Sequence, residues 1–108
     1  MEIRSSQKFC IITPLSPRLD ARETCRLREE INLHPDKLIG IDLNYVEDCT
    51  IDFLELAKKM HAGFFNIQSD IFSLFIVMDI DKSTELYTTE EDFITGKRRL
   101  LNRRFSVV

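Results

Sequence analysis

The run Leu38-Ile39-Gly40-Ile41-Asp42-Leu43 constrains this chain more than any other feature. It is nearly continuous in apolar residues, the pattern of a strand buried on both faces, and such a strand belongs near the centre of a sheet with helices on it. The flanking sequence supplies those helices. From Asp20 to Asn32, Ala21, Cys25, Leu27 or Arg28, and Ile31 fall near helical spacing, with Arg22, Glu23, Arg26, Glu29 and Glu30 on the other side. His34-Pro35-Asp36 closes this helix. After the apolar run, Asp48-Cys49-Thr50 offers capping side chains to a second helix, in which Ile51, Phe53, Leu54, Ala57 and Met60 alternate with Asp52, Glu55, Lys58 and Lys59. Ala62-Gly63 forms its stop.

The remaining segments extend the alternation. Phe9-Cys10-Ile11-Ile12-Thr13, ending at Pro14, predicts a strand, and so does Phe64-Phe65-Asn66-Ile67-Gln68. Ser69-Asp70 can cap a third helix reaching about Asp79. Its run Ile71 to Met78 is apolar nearly all round, which leaves part of it exposed until a partner covers it, a buried strand being the competing reading. Glu85-Leu86-Tyr87 predicts a last short strand, and Thr88-Thr89-Glu90-Glu91-Asp92 a capped, acidic start to a fourth helix with basic residues in its last turns. The order β-α-β-α-β-α-β-α predicts an α/β fold: one small mixed β-sheet with about four helices packed on it.

Length and charge bound what such a fold can do. At 108 residues the chain has room for one domain and one core, with a core region of about 8-95 and a basic C-terminal helix and tail at 96-108. The net charge of −3 hides a split: residues 97-108 hold Lys97, Arg98, Arg99, Arg103 and Arg104 and no acid, leaving 10 basic and 18 acidic groups in residues 1-96, a balance of −8. An acidic body argues against nucleic acid as a partner, because phosphate affinity comes mainly from Lys and Arg. The longest uncharged apolar stretch is far too short to cross a bilayer, and Met1-Glu2-Ile3-Arg4 has no apolar leader region, so a cytoplasmic protein without direct membrane insertion is expected.

Chemistry-bearing motifs are sparse. Cys10, Cys25 and Cys49 are widely spaced, without a CxxC pair and away from His34 and His61, so each is expected to pack as a small hydrophobe, and no metal site is expected. Gly40, Gly63 and Gly96 are isolated, and no Gly-rich phosphate loop or HExxH pattern occurs, so no cofactor is expected. Phe64, Phe65, Phe72 and Phe75 are not interleaved with basic residues and read as core. Asp52 and Glu55 share the polar helix face without a nucleophile or metal beside them, so the chain is not expected to be an enzyme.

Three segments, in this order, carry a family resemblance. Leu15-Ser16-Pro17-Arg18-Leu19-Asp20-Ala21 resembles the Gly-x-Leu-Asp-Ala entry to the first helix of STAS domains, the anti-sigma-factor antagonist family, with Pro17 where the family usually has glycine. Ile39 to Val46 is similar to the family's central strand, which ends in Asp-Leu-x-x-Val. Ile80-Asp81-Lys82, followed by Leu86 to Glu91, is similar to its ending. The resemblance covers most of residues 8-93 and implies a single STAS-like domain, a non-enzymatic interaction module for regulating transcription in bacterial signalling.

Such antagonists present Asp-Ser-Ser-Gly at the start of the second helix, where the second serine is phosphorylated by the anti-sigma factor, a serine kinase. Here the segment reads Val46-Glu47-Asp48-Cys49-Thr50-Ile51-Asp52-Phe53-Leu54. Matching Asp48 to the family's aspartate puts Thr50 on the phosphoacceptor; counting without gaps from Asp42-Leu43 puts Asp52 there. Thr50 would be a switch, since a phosphate of about −1.5 to −2 charge suits a helix N-terminus and repels an acidic partner surface, whereas Asp52 would hold a fixed charge. The resemblance thus implies that Asp48, Cys49, Thr50 and Asp52 bind a protein partner. Its alternative is a structural scaffold or accessory subunit, in a stressosome-like assembly or a membrane-transporter complex, with a homo-oligomer formed through Ile71-Met78.

Overall fold

The structure, a computed structural model, describes residues 1-96. The basic last turns expected for the fourth helix and the basic tail fall on residues 97-108, outside the described residues. The fold is a small α/β domain. Its elements in chain order are β1 (Glu2–Ser5), β2 (Phe9–Thr13), β3 (Arg18–Leu19), α1 (Ala21–Asn32), β4 (Leu38–Asp42), β5 (Asp48–Cys49), α2 (Ile51–Lys59), β6 (Gly63–Phe65), α3 (Ser69–Val77), a 3-10 turn (Ile80–Lys82), β7 (Glu85–Leu86) and α4 (Glu90–Thr95). A mixed five-stranded sheet has the order β1-β2-β4-β6-β7. Only β1 is antiparallel to its neighbour; β2, β4, β6 and β7 run parallel.

The continuous apolar run of β4 is the central strand, between β2 and β6, as its pattern requires. Alternation along each strand sorts side chains between two faces. Cys10, Ile12, Ile39, Ile41, Phe64 and Leu86 join Leu27 of α1, Phe53, Leu54 and Ala57 of α2, and Ile71 and Phe75 of α3 in the main core. Phe53, Phe64 and Phe75 meet there with ring centroids 5.2 to 6.2 Å apart. The opposite face carries Ile11, Phe65 and Tyr87 under Phe93 of α4. Gly40 and Gly63 make the recess for this ring: a Cβ on either would stand 2.6 Å from a Phe93 ring carbon, closer than atoms can pack. The two glycines that look isolated in sequence thus act together beneath one aromatic side chain.

Several local expectations are corrected. On α1 the buried positions are Thr24 and Leu27, while Ala21 and Cys25 are exposed and Ile31 is half-buried, so the buried stripe is rotated from the expected one. Helix α2 ends at Lys59 with Met60 as C-cap, and Gly63 belongs to β6 rather than to a helix stop. Ser69 and Asp70 lie inside α3, whose N-cap is Gln68 with no side-chain capping bond. The segment Ile71-Met78 is helical through Val77; it buries Ile71 and Phe75 and leaves Leu74 and Val77 exposed, so it presents an amphipathic face rather than an apolar surface all round. Strand β1 and the two-residue strands β3 and β5 are not anticipated by the alternation pattern.

Candidate functional site

The carboxyl ends of the parallel strands are held together by Asp42, the last residue of β4. Its carboxylate accepts hydrogen bonds from the Asn66 side-chain amide and the Asn44 backbone N–H, both at 3.0 Å, and the Thr13 hydroxyl donates to it at 3.5 Å. One half-buried carboxylate therefore fixes the exits of β2, β4 and β6. Asn66 takes the left-handed conformation at φ 55°, which asparagine tolerates better than most residues, and the chain turns from there towards α3.

Above these exits, β3 and β5 form a second, two-stranded parallel sheet, with Arg18 opposite Asp48 and Leu19 opposite Cys49. The Pro17 carbonyl accepts from the N–H groups of Glu47 and Asp48 at 2.8 and 3.1 Å, and the Leu19 carbonyl accepts from Thr50 N–H at 3.0 Å. These bonds clamp the start of α2 beside the start of α1. Leu19 and Val46 are fully buried beneath the clamp.

The four residues expected to bind a partner differ in what they offer. Asp48 is exposed; one oxygen accepts from Cys49 N–H at 2.9 Å and the other lies 3.4 Å from the Arg18 guanidinium. Cys49 is half-buried, and burial, helped by the Asp48 charge, pushes its thiol up to about 11. It therefore stays protonated at neutral pH and is a poor nucleophile. Cys10 is buried as expected, and burial raises its thiol too, whereas Cys25 is exposed on α1, contrary to the expectation of packing.

Thr50 is the N-cap of α2, but its hydroxyl does not cap the helix; it donates to the Leu19 carbonyl in a long 3.4 Å bond. Asp20, at the matching position of α1, does cap, accepting from Glu23 N–H at 3.0 Å. Asp52 is exposed in the first turn of α2, where a negative charge complements the helix dipole. The structure also adds residues that the sequence reading passed over. Leu15, Tyr45 and Ile51, on the loop after β2, the loop after β4 and the first turn of α2, are each more than half exposed at this same end of the sheet. Arg18 also joins the site, and its signal was its place in the Arg18-Leu19-Asp20 segment, which the β3–β5 pairing lays against Asp48.

Asp52 and Glu55 are exposed, and no cluster of three or more His, Cys, Asp or Glu side chains able to hold a metal occurs among the described residues. The parallel strands are added in one direction, β2 to β4 to β6 to β7, and α1, α2 and α3 all pack into one core, so the sheet has no reversal point of the kind at which open α/β folds form a ligand crevice. Among the described residues no helix is long and apolar enough to cross a membrane.

Fold and site together define a small mixed α/β domain with an exposed, clamped helix start. No protein-family model matches the chain, and no curated protein matches it in sequence.

Proposed function

We propose that this chain is a non-enzymatic protein-interaction domain that works in the manner of STAS anti-sigma-factor antagonists, binding its partner through the surface around the start of α2. The observation that carries this reading is the clamp: a two-stranded sheet holds Asp48, Cys49, Thr50 and Asp52 in fixed register at the protein surface, flanked by exposed Leu15, Tyr45 and Ile51. Exposed apolar and aromatic side chains beside charged ones are the composition of a contact patch. The partner by this reading is an anti-sigma-type serine kinase, and the output is transcriptional control in the cytoplasm.

Thr50 is the phosphoacceptor in the switched form of this reading. Its hydroxyl is free of any capping duty and held by one long bond, so modification would cost the helix little, and a phosphate there would sit at the helix N-terminus. Asp52, two residues onward and exposed, is the fixed charge of the unswitched form. Incubating the protein with the cognate kinase and ATP and measuring intact mass separates the two. A gain of one phosphate that disappears in Thr50→Ala is expected for the switch; no gain, or a gain that survives the substitution, contradicts it.

The scaffold reading is favoured by one separate observation, the exposure of Leu74 and Val77 on α3. Light scattering during size-exclusion chromatography distinguishes it, because a monomer at every concentration contradicts self-assembly through Ile71-Met78.

A further inference from the structure

At the opposite end of the sheet, between the last turns of α1 and α2 and the first residues of β4, lies a cleft of about 520 Å³. Its volume falls within the range of roughly 300–1,000 Å³ typical of small-molecule sites. Ile31, Leu38, Leu56 and Met60 supply apolar walls. Arg28, Lys37, Lys59, His34 and His61 supply the polar lining, and no Asp or Glu lines it. In residues 1-96, where acids outnumber bases by 8, an acid-free pocket with three permanent cations is a local inversion of the molecule's charge.

The bland explanation is that these cations only offset the helix ends. Helices α1 and α2 both terminate here, and each C-terminus carries roughly −0.5 charge, about −1 in total. Three full positive charges exceed that, so an anion entering the cleft still meets net attraction. Glu30, beside the lining residue His34, brings the nearby negative charge to about −2 with the two helix ends, still short of the three cations. The Lys37 ammonium donates to the neutral Ser5 hydroxyl, and His34 is paired with Glu30 at 3.2 Å, outside the lining. Arg28 and Lys59 form no ion pair among the described residues, although Asp52 and Glu55 line the adjoining cleft between α1 and α2 that both cations also border. A second cleft, of about 400 Å³ on the α4 face, mixes Lys8 with Glu85 and lacks this one-signed character.

We infer that the α1–α2–β4 cleft binds a small organic anion with an apolar body, an acyl or aryl carboxylate, whose head is held by Arg28, Lys37 and Lys59 and whose body lies on Ile31, Leu38, Leu56 and Met60. Charge-assisted hydrogen bonds to an anion are the strong class, and removing one cation should weaken binding by roughly tenfold. The site is separate from the α2 start and does not depend on the function proposed for it.

The test is an amide-shift titration of the full-length protein with decanoate, with acetate and decyltrimethylammonium as head-only and reversed-charge probes. Saturable shifts confined to residues 28–39 and 56–61, seen with decanoate and weakened in Lys37→Gln and in Lys59→Gln but kept in Lys59→Arg, are expected. Lys59 is exposed and Lys37 half-buried, and an unchanged melting temperature for each variant shows that the fold is intact. Absence of saturation with decanoate, equal shifts from decyltrimethylammonium, equal binding of acetate alone, or shifts centred at the α2 start would each overturn the inference.

Discussion

The two ends of the sheet are built from the same helices and offer opposite chemistry. At the carboxyl end, α1 and α2 begin, and Asp20, Asp48 and Asp52 gather there with exposed Leu15, Tyr45 and Ile51. At the amino end the same helices finish among Arg28, Lys37 and Lys59 around an apolar cleft. The helix dipole favours this sorting in α2, with Asp52 in its first turn and Lys58 and Lys59 in its last, whereas α1 has no base in its last turn. The shared lesson is that a modest net charge can conceal a local excess of acids at one end and of bases lining a cleft at the other. Side chains project at the first, and they line a cleft at the second.

The sharpest way to break the comparison is to remove what both ends share. Phe53 of α2 is fully buried against Phe64 and Phe75, so Phe53→Ala should cost about 3–5 kcal/mol, and chemical denaturation should show both ends lost in one transition. Separate transitions would mean that the ends are independent units. A smaller perturbation is confined to the amino end. Gly63→Ala drives a methyl into the Phe93 ring, and about 1–3 kcal/mol of destabilisation is expected, partly restored by adding Phe93→Leu.

At the carboxyl end the two helix starts can be set against each other. Asp20→Ala removes a capping bond and should cost about 1 kcal/mol, whereas Thr50→Ala removes none and should cost only a few tenths by the same urea titration. The smallest effect tests α4 on the far face. Its Glu90 accepts a hydrogen bond from Arg4 of β1 at 2.9 Å, and that bond, opposed by burial and aided by the still smaller effect of the Arg4 charge, holds the carboxyl below its ordinary value of 4.5. A depressed carboxyl stabilises the fold fully at neutral pH and loses that contribution as pH falls through its folded-state value. The pair is partly exposed, so Glu90→Gln should cost under about 1 kcal/mol at pH 7 and nothing in strong acid.

Much of this fold was legible in the sequence because its long elements obey simple periods. The β4 run pointed to a central strand, and the spacing from Ile51 to Met60 to an amphipathic helix. The short strands were illegible for a physical reason: β3 and β5 have two residues each, too few for any period, and they exist because the loops entering α1 and α2 find each other's backbone groups. The role of Gly40 and Gly63 was hidden likewise, since only the return of α4 over the sheet shows why a side chain is excluded there. For the candidate site, Asp48 to Asp52 could be nominated from motif order alone. Their clamp to Pro17 and Leu19, and the company of Leu15 and Tyr45, depend on pairings about 30 residues apart in the chain.

The central claim is that the α2 start recognises a protein, and capture of partners from source lysate by immobilised full-length protein, quantified by mass spectrometry across variants, tests it most directly. A partner with kinase character that is retained by wild type and by Lys59→Gln but lost with Ile51→Ser and with Asp52→Lys is the expected result. A partner set unchanged by Ile51→Ser and Asp52→Lys, with both variants folded, would contradict the claim.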